Sequence, residues 1–210
     1  MTTVKTIAII GSTGKMGAAI AGSLAKSNYR LLLMSHEAEK LQALKSKLDQ
    51  AGALAEINTI SCSKEASWEA DIIIVATPYE EEKNVAEKIR EVAVGKIVIS
   101  IANPINKKYD ELIHSNTSAA EELQKLLPHS KVVKTLNTKL ASDFISIAID
   151  GEKPDTFIAG NNGEAVDTVS ALIRMAGFKP MVVGDLTLSR TLERLQLILL
   201  QRGMRVITTS

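Results

Sequence analysis

Thr6-Ile7-Ala8-Ile9-Ile10-Gly11-Ser12-Thr13-Gly14-Lys15-Met16-Gly17 is the stretch on which the reading of this chain turns. Lys5 to Ile10 is almost wholly apolar, as strands covered on both faces are. It runs straight into a glycine-rich turn. From Lys15 to Lys26, Met16, Ile20 and Leu24 then fall four residues apart, on one face of a helix. Strand, glycine turn and helix in that order make a cradle for a pyrophosphate. The tight bend favours a residue without Cβ. Gly14 lets the backbone approach the phosphates, and Gly17 lets the helix pack near the strand. Free N–H groups and the positive end of the helix dipole face the anion. Counting back from Gly17 and Gly14, Ser12 holds the place of the first glycine of the usual dinucleotide fingerprint, and Gly11 precedes it. Lys15-Met16 is not the Lys-Ser/Thr pair of a nucleoside triphosphate loop. The plain alternative is a tight turn with no ligand.

Outward from this unit, strand-like and helix-like segments alternate, the signature of a parallel sheet with covering helices. Strands are expected at Arg30–Met34, more weakly at Ala55–Ile60, at Asp71–Ala76, Lys96–Ile101 and Val132–Leu136. Leu41, Leu44 and Leu48 stripe a second helix that Gly52 ends, and a polar stretch with Trp68 follows the third strand. Pro78 starts a helix burying Val85, Ile89 and Val92, which Gly95 closes. Asn103-Pro104 forces a turn. Ser118 and Glu121 have capping-box spacing before Leu123, Leu126 and Leu127, and Pro128 stops that helix. From about residue 150 the pattern repeats on a smaller scale: a strand at Thr156–Ala159, a helix at Ala165–Ala176, a strand at Met181–Val183 and a last helix from Leu186 to Arg202. The fold class expected is α/β, a Rossmann-type doubly wound and mostly parallel sheet. Residues 1–149 form the dinucleotide-binding core and 150–210 a strand/helix extension packed on it, in one compact domain.

The 210 residues suffice for one sizeable core. The 25 basic and 24 acidic side chains leave a net charge of +1, which gives no basic excess for a nucleic acid or a membrane surface. Apolar runs are far shorter than the roughly 20 residues of a membrane helix. The N-terminus shows no secretory signal, and Cys62, the one cysteine, is expected to be half-buried and inert. Together these point to the cytoplasm. His36, His114 and His129 are far apart, so no metal site is expected.

The tip of the second strand selects between dinucleotides. NAD binders usually carry a carboxylate there for the ribose hydroxyls. Here it reads Met34-Ser35-His36. Ser35 can donate to a 2′-phosphate, His36 can stack on adenine or pair with phosphate when protonated, and Lys40 lies one helical turn on as a point charge. This favours NADP over NAD, although Glu37 is close enough to serve a ribose hydroxyl instead.

The glycine turn, the Ser-x-x-x-x-Lys after the second strand, Ala76-Thr77-Pro78, Val132-Val133-Lys134-Thr135-Leu136-Asn137-Thr138, and the closing Gly184-Asp185-Leu186 with Ser189-Arg190 and Leu192-Glu193 resemble the NADP oxidoreductases that use coenzyme F420. The cytosolic NADPH domains of membrane ferric reductases are similar too. The resemblance covers nearly the whole chain and implies hydride transfer between NADPH and a flavin or deazaflavin ring laid against the nicotinamide. It implies that the turn from Gly11 through Ser12, Thr13, Gly14, Lys15 and Met16 to Gly17 holds the pyrophosphate, and that Ser35, His36 and Lys40 meet the 2′-phosphate. Ala76, Thr77, Pro78, Ala102 and Asn103 would line the middle and the nicotinamide end, and Asn137, Thr138 and Ala141 would frame the reaction face. The reductases usually carry arginine at the position of His36. The deazaflavin enzymes commonly carry histidine at that of Asn137 and a branched apolar residue near Lys139.

Transfer between two planar rings needs position and dryness more than an acid or base. Asn137 is the candidate for orienting a carboxamide or acceptor, with a strand-end turn residue as the alternative. Arg190 and Glu193 read either as an exposed ion pair or as anchors for the last helix. That helix is apolar on more than one face, so a homodimer is expected. The functional expectation is an NADPH-dependent oxidoreductase acting on a small-molecule electron acceptor. The alternatives are an NADP-binding redox sensor without turnover, or a carbonyl reductase with Lys139 as proton donor.

Overall fold

β1, Thr6–Ile10, is buried along its whole length, and its neighbours show why. In the computed structural model, which describes residues 4–114, 116–140, 142–144 and 153–208, β1 pairs in parallel with β2 (Arg30–Met34) and β4 (Ile72–Val75). The sheet continues through β3 (Glu56–Ile60) on one side and β5 (Ile97–Ser100) and β6 (Lys131–Thr135) on the other, all parallel. β7 (Asp155–Gly160) joins β6 antiparallel and pairs in parallel with β8 (Lys179–Gly184), completing the order 3-2-1-4-5-6-7-8. The first six strands have the Rossmann order, with its switch point between β1 and β4.

Side chains of β1 alternate between two apolar layers, as the pleat requires. Ile7 and Ile9 pack with Ile20 and Leu24 of α1 (Lys15–Leu24), Leu41 and Leu48 of α2 (Ala38–Gln50), and Val169 and Leu172 of the Gly163–Met175 helix. Ala8 and Ile10 pack with Ala66 of α3 (Ser63–Glu69), Val85 and Ile89 of α4 (Tyr79–Ile89), and Leu123 of α5 (Ala119–Leu126). Each fully covered Ile or Leu contributes about 1.5–3 kcal/mol.

Two features depart from expectation. The polar stretch before β4 is a helix, α3. It buries Ala66 and Ser67 and leaves Trp68 69% exposed, and so small an apolar face leaves no periodic signal. Cys62, expected half-buried, is exposed ahead of it. The joint expected near residues 150–153 lies largely outside the described residues. The last helix, Ser189–Thr208, follows a 3-10 turn at Leu186–Leu188.

Candidate functional site

The glycine turn at the end of β1 is shaped by close contacts. Gly11 has φ +85, and a Cβ there would stand 2.7 Å from the Ala76 carbonyl oxygen. A Cβ on Gly17 would lie 2.3 Å from Gly11 O and 2.8 Å from Ser12 Cα, so the first turn of α1 rests directly on the loop. Gly14 differs: its nearest protein neighbour would be Gly11 O at 3.4 Å, and its open side faces the cleft. Ser12 is turned inward. Its N–H and hydroxyl both donate to Met34 O, at 3.0 and 3.1 Å, which ties the turn to the end of β2. α1 has no side-chain cap, so its first N–H groups remain available to an anion.

Two hollows meet at this turn. One, of about 370 Å³, lies at the tip of β2 between Ser35, His36 and Glu37 and the side chains Glu81, Asn84 and Lys88 of α4. Thr13 and Lys40 do not line this hollow but bond residues that do: Thr13 Oγ1 is 2.7 Å from Ser35 Oγ, and Lys40 Nζ donates to Glu37 Oε1 at 2.7 Å. The Lys40 ammonium holds the exposed Glu37 carboxyl below its usual range. The second hollow, of about 450 Å³, runs from Gly14, Lys15 and Met16 past Ala76, Thr77 and Pro78 to Ala102 and Asn103. Thr77 lines both, and its Oγ1 is buried with no partner among the described residues. An orphaned hydroxyl is costly unless a ligand satisfies it, so the cleft suits a long, polar, anionic molecule.

The resemblance did not give every wall. Tyr79, Ile105, Tyr109 and Leu200 also line the second hollow. The segment after β5 folds back through an Ile105–Leu112 bridge, and Gln201 donates to Asp110 O at 3.1 Å, which brings the last helix against the cleft. The Gln201 contact joins residues 91 positions apart and leaves no local pattern.

Asn137 is buried and is not among the cleft-lining residues. Its Nδ2 donates to Asn103 Oδ1 and Leu192 O, both at 3.0 Å, while Asn103 Nδ2 donates to Asn137 O at 2.8 Å. Leu136 before it has φ +57, a strained value for a non-glycine residue. Asn137 therefore braces Asn103 rather than offering a free donor. Thr138 is half-buried, and Ala141 lies outside the described residues. Lys139 Nζ lies 5.8 Å from the centre of the Phe178 ring and does not line the cleft, which removes the geometric support for a carbonyl proton donor.

Beneath Ala102 sits a buried ionic cluster. Lys134 is fully covered; its Nζ donates to the Ala102 carbonyl and, at 2.6 Å, to Glu193 Oε1. Glu193 also accepts the Ala119 N–H at 3.0 Å, at the start of α5. Burial pushes Glu193 above the usual carboxylate range, against the opposing pull of Lys134. Burial also pushes Glu82 up to about 7, with Lys134 opposing. Arg190 grips Glu121 with two hydrogen bonds of 2.8 and 2.6 Å. Arg190 and Glu193 are thus no exposed pair. Each anchors the last helix to a separate partner.

The model of the family described as NADP oxidoreductase, coenzyme F420-dependent, matches residues 6–104. The chain is 32% identical to the F420-dependent NADP reductase of Methanocaldococcus jannaschii over 207 residues, covering 92% of this chain and 90% of that protein. It is 28% identical to the metalloreductase STEAP3 of Rattus norvegicus, covering 92% of this chain and 37% of that longer protein. Among solved structures, a chain from Arthrobacter sp. FB24 provisionally named an F420-dependent NADP reductase superposes with a TM-score of 0.81 at 24% identity, covering 98% of this chain and 96% of that one.

Proposed function

The chain belongs to the coenzyme F420-dependent NADP oxidoreductase family, and from that premise we infer that it transfers a hydride between NADP(H) and a flavin-like acceptor, coenzyme F420 or a related deazaflavin. The observation that carries this reading is the paired hollow joined at the Thr77 hydroxyl, which has no partner among the described residues, beside an uncapped helix start. Bound NADPH would supply the hydride and leave as NADP, and the acceptor ring would take the hydride, at carbon in a deazaflavin or at nitrogen in a flavin, with one proton from solvent. The protein supplies grip, alignment and exclusion of water. The first turn of α1 and Gly14 hold the pyrophosphate. Thr13, Ser35 and Lys40 hold the 2′-phosphate, with His36 beside them. Thr77 bonds the dinucleotide at the bend. Ala102 and Asn103 floor the nicotinamide end, and Asn137 keeps Asn103 in place.

The test is NADPH oxidation by the purified protein with and without coenzyme F420 or a riboflavin-type acceptor. Acceptor-dependent loss of NADPH at a rate above solution background supports the reading. NADPH binding with no acceptor-dependent turnover would instead make the protein a redox sensor.

Residues 150–210 are taken as part of the same folding unit, because β7 extends the sheet at β6. No helix among the described residues is long and apolar enough to cross a membrane. The cytoplasm is the proposed setting, consistent with an exposed Cys62 in a chain without a second cysteine. A homodimer is also proposed. β8 is an edge strand exposing Met181 and Val182, and the last helix leaves Ile198 61% exposed, so that helix is not buried all round within one copy. Light scattering at micromolar concentration should give twice the 22.6 kDa chain mass, falling toward one chain in Val182→Lys with Ile198→Glu. A single-chain mass for the unaltered protein contradicts it.

A further inference from the structure

At the tip of β2 a carboxylate occupies the groups that a 2′-phosphate needs. Glu37 Oε1 accepts from Lys40 Nζ at 2.7 Å, and Thr13 Oγ1 donates to Glu37 Oε2 at 3.4 Å. Thr13 Oγ1 in turn shares a hydrogen bond of 2.7 Å with Ser35 Oγ, which also accepts the Glu37 N–H at 3.2 Å. One ammonium and the Thr13 hydroxyl are therefore already committed to one anion, and the Ser35 hydroxyl is engaged with Thr13 beside it. A phosphate arriving here must take Lys40 from Glu37, and Glu37 must then swing away, because two anions cannot share the spot without repulsion. A ribose with a free 2′-hydroxyl meets the opposite situation. Glu37, held by Lys40 and Thr13, is an oriented acceptor for a ribose diol, the task a carboxylate performs at this strand tip in NAD sites. The low set of its carboxyl keeps Glu37 ionised at neutral pH, so the competition is always present. Of the other charged groups around the hollow, Glu81 also repels a phosphate, while Lys88 on α4 attracts it.

We propose that Glu37 is a specificity-determining residue that opens this site to both dinucleotides, accepting the ribose hydroxyls of NADH while it stays on Lys40, and releasing Lys40 to the 2′-phosphate when NADPH binds. This rests on the reading of the cleft as a dinucleotide site. It implies weaker discrimination between NADPH and NADH than an arginine-lined phosphate pocket gives.

The experiment is a fluorescence titration with NADPH and NADH, and a competition titration with adenosine 2′,5′-bisphosphate, which fills only this end of the cleft. Glu37 is exposed and part of no core, so its replacement leaves the fold intact. Glu37→Gln is expected to tighten NADPH and the bisphosphate about tenfold and to weaken NADH by a similar factor, the scale of one charge-assisted hydrogen bond. Lys40→Met is expected to weaken NADPH and the bisphosphate while leaving NADH within about twofold. An NADPH-to-NADH affinity ratio unchanged in Glu37→Gln, with both still bound, overturns the role of Glu37 and leaves the redox reading standing. An unaltered protein that binds neither dinucleotide overturns the redox reading and this inference together.

Discussion

Gly17→Val abolishes dinucleotide binding, with an affinity loss of about a hundredfold or more, the scale expected when a site is displaced by about 1 Å. The cause is steric. A Cβ at this position lies 2.3 Å from Gly11 O and 2.8 Å from Ser12 Cα, and both neighbours are backbone. The loop must therefore move, and it is fixed on its far side by three hydrogen bonds to Met34 O from Gly11 and Ser12. Overpacking of this kind also lowers stability by about 1–3 kcal/mol. Gly14→Ala separates the two effects. Its methyl meets only Gly11 O at 3.4 Å, so folding should be nearly unchanged while binding weakens about tenfold, because the methyl stands where the pyrophosphate must approach. Nicotinamide fluorescence titration beside a thermal melt reads both quantities. Undiminished NADPH affinity in Gly17→Val contradicts the placement of the pyrophosphate.

Lys134→Met destabilises the fold by about 3–5 kcal/mol, the usual consequence of removing one partner from a buried pair. The lost ammonium leaves Glu193 and Glu82 without a counter-charge, and the Ala102 carbonyl loses the donor that fixes the cleft floor. The cluster also makes stability depend on pH. Glu82 on α4 faces Lys134 on β6, Glu193 on the last helix and Ser100 on β5, with Tyr79 nearby on its own helix. Its carboxyl is pushed up to about 7 from an ordinary 4.5, so between those values the folded protein keeps a proton that the unfolded chain has lost. Stability therefore falls as pH rises through that window, by up to about 3 kcal/mol, and no further Glu82 contribution is lost above it. Glu82→Gln should flatten the profile and raise the melting temperature at pH 8 relative to the parent. Glu193 shifts in the same direction and is coupled to Glu82, so the difference between parent and variant reads Glu82 together with that coupling. Urea titrations from pH 5 to pH 8 with equal slopes for both proteins contradict this account.

The parallel core was legible because its signals are local. β1, β2 and β4 each carry four consecutive apolar residues, and Gly11 and Gly17 sit where a bend and a close approach demand them. Ser35 was legible in the residues at the strand tip, Ala102 and Asn103 followed from the resemblance, and all three line the two hollows. What stayed hidden depends on long-range packing. Asn137 looked like a donor at a reaction face, yet the crossing of the last helix takes one of its amide hydrogens and Asn103 the other. Arg190 and Glu193 have the spacing of a helix pair, yet Glu121 and Lys134, 69 and 59 residues away, claim them instead. Lys134 itself sits within a strand pattern, and nothing in its neighbourhood announces a fully buried ammonium. Leu200 and Tyr109 reach the cleft only because the last helix and the loop after β5 fold over it.

The most direct test of the central claim uses NADPH carrying deuterium at the transferable position of nicotinamide C4, incubated with the protein and oxidised coenzyme F420. Direct hydride transfer predicts deuterium on the reduced deazaflavin ring carbon, in a one-to-one ratio to NADP formed. Reduced deazaflavin without the label, or NADP formed with no reduced acceptor at all, contradicts it.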